Sequence, residues 1–117
     1  MSYFLVFVGG GLGAGSRLFL SNILRDLSIF GFAASTLLIN ILGCFLIGVL
    51  MGNDIFSSKP LYLFLGVGFL GSFTTFSTFT KEAILFYEQI GVTESFLYLI
   101  MTFSLCLFST YLSYRYF

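Results

Sequence analysis

A chain of 117 residues with 58% hydrophobic side chains, only 9% charged ones and no net formal charge cannot cover a soluble surface, because soluble domains carry about a quarter charged residues. The mean hydropathy of +1.04 places the sequence among membrane proteins. Zero net charge gives no basis for nucleic-acid binding, and the absence of histidine excludes a histidine-ligated metal or haem and a histidine general base.

A helix needs roughly 20 apolar residues to cross the hydrocarbon core. The first such stretch covers residues 3–24 and ends at Arg25-Asp26. No positive n-region precedes it, and Ala14-Gly15-Ser16 runs straight into Arg17, so it reads as a retained span rather than a signal peptide. It carries Gly9, Gly10, Gly11, Gly13 and Gly15. The run Gly9 to Ala14 formally fits a dinucleotide-binding fingerprint but lacks the strand, helix and acidic residue that the motif requires. Close helix packing in the bilayer is the better reading. Arg17 lies in the same span, without a carboxylate well inside any span to meet it. It either snorkels to the interface or serves as an anchor or anion-attracting charge.

The second stretch covers residues 30–51 and stops at Gly52-Asn53-Asp54. Thr36, Asn40, Gly43 and Ile47 fall on one face at helical spacing. The Asn40 amide is either interhelical glue or a pore-lining donor. The loop that follows holds Pro60, suited to start a helix.

The third stretch covers residues 61–79, with a polar helical extension toward Glu88. Its core is Gly71-Ser72-Phe73-Thr74-Thr75-Phe76-Ser77-Thr78-Phe79. β-branched threonines beside glycine weaken a helix, which predicts a break mid-membrane between Gly71 and Thr75. Freed backbone groups are tolerated there only if buried in protein or lining a cavity. Phe76 and Phe79 share a face, and the positive edges of their rings can contact an anion. Ordinary aromatic packing is the default for most of the 17 phenylalanines.

The fourth stretch covers residues 94–114 and carries a polar stripe: Ser95, Tyr98, Thr102, Cys106, Ser109 and Ser113. Ser104 and Tyr111 lie on a second face, and Thr110 elsewhere. Cys44 and Cys106 both sit in apolar runs and read as small apolar packers. Four spans joined by short connections give an all-α membrane protein forming a single transmembrane domain over residues 1–117, with both termini on one side. Lys59 and Arg115 balance Arg25 and Lys81 across the membrane. The chain therefore either inserts with a weak bias or adopts dual topology. Four thin helices leave little room for a closed pathway within one subunit, which predicts a homodimer.

These motifs resemble the Fluc (CrcB-type) fluoride channel family along essentially the whole chain. The resemblance rests on Gly9-Gly10-x-x-Gly13-Ala14-x-x-Arg17, on Ser35-Thr36-Leu37-x-x-Asn40-x-x-Gly43 and above all on the Gly71–Phe79 run. It implies passive fluoride export from a bacterial inner membrane by an antiparallel, dual-topology homodimer with two fluoride pathways. It further implies that Asn40, Phe76 and Phe79 line the pore, with Ser104 and Thr110 on a fourth-span polar track. A structural Na+ would be held at the dimer centre by backbone carbonyls of Gly71 and Thr74 from both subunits. Arg17 suits a mouth of the pathway, where it would raise the local anion concentration. The alternatives are a small multidrug-type cation transporter and a non-transporting membrane scaffold. The first needs an embedded carboxylate, whereas Glu82, Glu88 and Glu94 cluster at the third helix end and the following loop.

Overall fold

The structure is a computed structural model that describes residues 1–29 and 32–117. Among these residues, four helical stretches are long and apolar enough to cross a membrane: Ser2–Ile23, Ala34–Gly52, Lys59–Gln89 and Val92–Tyr116. Helix α1 is Ser2–Ile23, about 33 Å long at 1.5 Å per residue. The Leu24 N–H closes it on the Leu20 carbonyl. A two-residue antiparallel ladder follows, β1 (Ser28–Ile29) against β2 (Phe32–Ala33). It is the one sheet among the described residues. Helix α2 is Ala34–Gly52; the expected start of that span, Phe30, lies outside the described residues. Asn53 caps its end, donating from Nδ2 to the Val49 carbonyl at 2.7 Å and to the Phe117 carbonyl at 2.9 Å. One amide thereby satisfies an open helix-end carbonyl and ties down the last residue.

After a short 3-10 turn, Asp54–Ser57, the third stretch begins with Pro60 in its first turn, where a missing N–H costs nothing. Its first half, α3 (residues 59–73), is α-helical over Lys59–Leu61, π-helical over Tyr62–Leu70 and α-helical again over Gly71–Phe73. Thr74 (φ −79°, ψ 154°) and Thr75 (φ −145°, ψ 122°) are then extended. Helix resumes as α4, Phe76–Gln89. Two threonine hydroxyls stabilise this interruption. Thr74 Oγ1 donates back to the Leu70 carbonyl at 3.0 Å, the local bond that competes with helix propagation. Thr75 Oγ1 accepts from the Thr78 N–H at 3.2 Å, which makes Thr75 the N-cap of α4. Gly91 (φ 158°) turns the chain into α5, Val92–Tyr116.

Glycines decide which helices touch. A methyl on Gly9 would collide with the Phe64 carbonyl, and one on Gly13 with the Phe69 carbonyl, so α1 lies backbone-to-backbone on the π-helical part of α3. Gly10 meets Ser72, whereas Gly11 and Gly15 face open space. Gly48 gives the same close approach between α2 and Ser113 of α5, and Gly52 meets the Tyr114 carbonyl. In a bilayer, such van der Waals contact is what drives helices together. Polarity is inverted relative to a soluble protein. Thr36, Asn40, Ser95, Thr102, Ser109 and Ser113 are buried, while Phe7, Phe19, Leu107 and Phe108 are more than 60% exposed.

Candidate functional site

The interruption between α3 and α4 is held by α2. Asn40 donates from Nδ2 to the Thr75 carbonyl at 3.1 Å, and its Oδ1 accepts from the Thr75 N–H at 2.9 Å. The amide thus replaces the strand partner that Thr75 would need, and the paired bonds fix which end of the amide is oxygen. One of its two N–H donors is used. The other remains for the cavity beside it, whose volume is about 200 Å³.

Four elements build that cavity. From α2 come Asn40 and Cys44, and from the interruption Thr74 and Thr75. Helix α4 supplies Phe76 and Phe79, whose ring centroids are 5.7 Å apart at 56°. Helix α5 supplies Thr102, Phe103 and Cys106. Phe79 is 3% exposed and Phe76 67%: one ring is seated in the bundle, the other at its surface. No charged side chain lines the cavity among the described residues. The Thr102 hydroxyl is buried there without a hydrogen-bond partner. A buried hydroxyl left so costs roughly 1–3 kcal/mol, and such groups call for an explanation such as an unseen ligand or water.

Beyond Phe79 the polar row continues. The Phe79 ring packs on Tyr98 at 5.3 Å, and Tyr98 packs edge-on against Phe86 at 4.9 Å. The Tyr98 hydroxyl donates to Glu82 Oε2 at 2.7 Å, and Thr36 Oγ1 donates to Glu82 Oε1 at 2.7 Å. Side chains of α2 and α5 therefore meet on one carboxylate of α4. The sequence alone places Glu82 at a helix end among loop acids. The signal available was the buried register of Thr36 and Tyr98, two hydroxyls in need of an acceptor.

The other residues singled out by the sequence are distributed as follows. Thr110 donates to the Cys44 carbonyl at 3.0 Å, bonding α5 to α2. Ser104 is exposed and outside the cavity lining. Of the polar stripe, Ser95, Tyr98, Thr102, Ser109 and Ser113 are buried. Ser95 bonds the Ala83 carbonyl and Ser109 the Ile41 carbonyl across helices, Ser113 bonds the Thr110 carbonyl of its own helix, and Thr102 stays open. Arg17 donates from Nε to the Ser72 carbonyl at 3.1 Å. In a continuous helix that carbonyl would accept from residue 76. Arg17 thus compensates the interruption from α1.

The carbonyls of Gly71 and Thr74 are also released from their α-helical donors. The Thr75 N–H goes to Asn40 and the Thr78 N–H to Thr75 Oγ1. Gly71 is exposed. Two neutral oxygens without fixed donors are the ligand type that a hard monovalent cation takes, so these residues fit a Na+. When bound, such an ion would supply a fixed positive charge beside the interruption.

Comparison with known proteins agrees with this architecture. The family profile described as CrcB-like protein, Camphor Resistance (CrcB), matches residues 4–114. A protein of Pseudoalteromonas translucida named fluoride-specific ion channel FluC is 38% identical over 111 residues, covering 92% of each chain. One of Bacillus cereus named fluoride-specific ion channel FluC 2 is 41% identical over 103 residues, covering 88% of this chain and 86% of its own. A Shewanella protein with the name fluoride-specific ion channel FluC is 40% identical over 110 residues, covering 92% and 89%. Four apolar helices, a threonine interruption clamped by an asparagine and this continuous similarity have one common explanation: the chain belongs to the CrcB family.

Proposed function

We propose that the chain is the subunit of a fluoride-selective channel that lets cytoplasmic fluoride leave a bacterial cell passively through the inner membrane. The observation that carries the reading is the cavity's donor set. A spare Asn40 N–H, the unpartnered Thr102 hydroxyl and the rings of Phe76 and Phe79 converge there without a full charge. Fluoride is small and strongly hydrated, so a pathway must replace its water with good donors and still release it. Neutral donors and positive ring edges meet both conditions, whereas a fixed cation in the narrow part would retain the ion. The names of the relatives point the same way. Thr110 lies one turn past Cys106 on α5, and Arg17 stands on the Ser72 carbonyl beside the interruption, where its charge would draw anions toward the pathway. Ser104, on the exposed face, joins the pathway only where a second copy covers it.

The working unit in this reading is an antiparallel, dual-topology homodimer with the interruption at mid-membrane. Exposure of Phe76 and Gly71 in one chain supports a second copy at that face. The near-equal Lys/Arg count on the two sides supports mixed insertion. C-terminal reporter fusions should give signal from both compartments; a single exclusive orientation would exclude dual topology. The Gly71 and Thr74 carbonyls of both copies would hold a structural Na+. Protein freed of sodium should lose thermal stability and regain it with Na+ but not with the bulkier K+; indifference to sodium would reject that site.

The functional test is ion efflux from liposomes. Fluoride should leave and chloride should stay, and Phe76→Ile with Phe79→Ile should abolish the fluoride current. A non-transporting scaffold would show no efflux in either form. A cation transporter would discharge a proton-linked cation gradient instead.

A further inference from the structure

The interruption between α3 and α4 has two chemically opposite ends, and they border different cavities. The released carbonyls belong to Gly71 and Thr74, which with Gly66 and Leu70 line a cavity of about 210 Å³. The N–H end belongs to α4, a helix of 14 residues. Its N-cap Thr75 and first residue Phe76 stand in the wall of the cavity that Asn40 and Thr102 also line. The first N–H groups of a helix have no acceptor within it. Thr75 Oγ1 takes that of Thr78 at 3.2 Å. In an unbroken helix Phe76 would donate to the Ser72 carbonyl and Ser77 to the Phe73 carbonyl. Arg17 occupies the first, and the extended Thr74 and Thr75 carry the second out of register. Among the described residues, neither N–H finds an acceptor.

A second, independent group in the same wall is also open. Thr102 of α5 is 5% exposed, and its hydroxyl is buried without a partner. Backbone N–H groups can only donate, so they fix the ligand as an acceptor. The aligned peptide dipoles add about half a positive charge at the helix start, which favours an anion. No carboxylate lines the cavity among the described residues to oppose it. The nearest acid on α4, Glu82, is engaged by Thr36 and Tyr98. A volume of about 200 Å³ admits a small anion with little of its water.

We propose that the N-terminus of α4 is the electrostatic seat for an anion in this cavity. The Phe76 and Ser77 N–H groups and the Thr102 hydroxyl hold one small monovalent anion, and the helix supplies the positive potential that no side chain provides there. Half a charge attracts an anion more weakly than a guanidinium would, which suits an ion that must also leave. The interruption thereby sorts charge, with oxygen acceptors toward one cavity and donors toward the other. That the anion is fluoride rests on the channel reading.

The test is an amide-to-ester exchange in the full-length protein. Exchange at Phe76 or at Ser77, made with the matching α-hydroxy acid, deletes one N–H and leaves the side chain in place. The same exchange at Leu85, in the interior of α4, deletes an N–H that bonds within the helix. Fluoride binding is read by fluorine NMR titration, with thermal unfolding measured alongside. Exchange at Phe76 or Ser77 should weaken fluoride binding about tenfold, the worth of one hydrogen bond to a charged group, and leave the unfolding midpoint nearly unchanged. Exchange at Leu85 should lower the midpoint and leave binding as it was. Undiminished binding in either N-terminal ester, or an equal loss in the Leu85 ester, would overturn the seat, as would parent protein that binds no fluoride. In liposomes the two N-terminal esters should slow fluoride efflux severalfold. Parent protein that binds fluoride but passes none would count against the channel reading alone, and the binding comparison would still decide the seat.

Discussion

The amide of Asn40 offers two donors and two acceptor lone pairs, and Thr75 engages one of each. Interhelical glue and pore-lining donor, posed as alternatives by the sequence, are therefore compatible in one side chain. The periodicity placed Asn40 on a buried face; what it bonds could not be read, because its partner is a backbone group exposed only by a break 35 residues on. Thr102 is the complementary case. The sequence put it on a polar stripe with five other residues, and only the packing separates the hydroxyls that find a partner from the one left open. The substitution Thr102→Val keeps the shape and removes the hydroxyl. No hydrogen bond is lost, so stability should hold or rise by up to about 1–3 kcal/mol as the unmet desolvation disappears. Fluoride efflux should fall. A Thr102→Val protein that is destabilised on thermal unfolding, or that keeps undiminished efflux, would show that the hydroxyl has a structural partner or no part in the pathway.

Among the elements, α1, α2 and α5 were legible because uninterrupted apolar length is a strong signal. The third was legible in composition more than in geometry. The threonine pair marks the interruption, since each hydroxyl can bond its own backbone. The π-helical turn over Tyr62–Leu70 had no counterpart in the apolar pattern, which is the same for α and π windings. It coincides with the closest approach of α1, where a methyl on Gly68 would lie 3.0 Å from the Val6 carbonyl. The glycine cluster was rightly read as packing, but only Gly9, Gly10 and Gly13 face α3. Gly13→Val should therefore force α1 off the Phe69 carbonyl and destabilise the protein by at least about 1–3 kcal/mol. Denaturation in mixed detergent would measure it, and a valine variant as stable as the parent would contradict the backbone-to-backbone contact.

For the molecule as a whole, one chain presents a buried donor set at a surface that lipid would otherwise cover. Phe76 and Gly71 stand exposed beside the interruption, and Phe79, Asn40 and Thr102 stand behind them. In the proposed reading a second copy would wall off the pathway, so that four helices would serve as half of a working unit. Composition alone located function in the spans, because almost nothing lies outside them. It could not identify the ion, which depends on neutral donors that converge only in three dimensions. The most direct measurement is therefore anion efflux from liposomes carrying the reconstituted protein, with fluoride and chloride electrodes read in parallel. The account predicts rapid fluoride release with chloride retained; equal release of both ions, or release of neither, would contradict it.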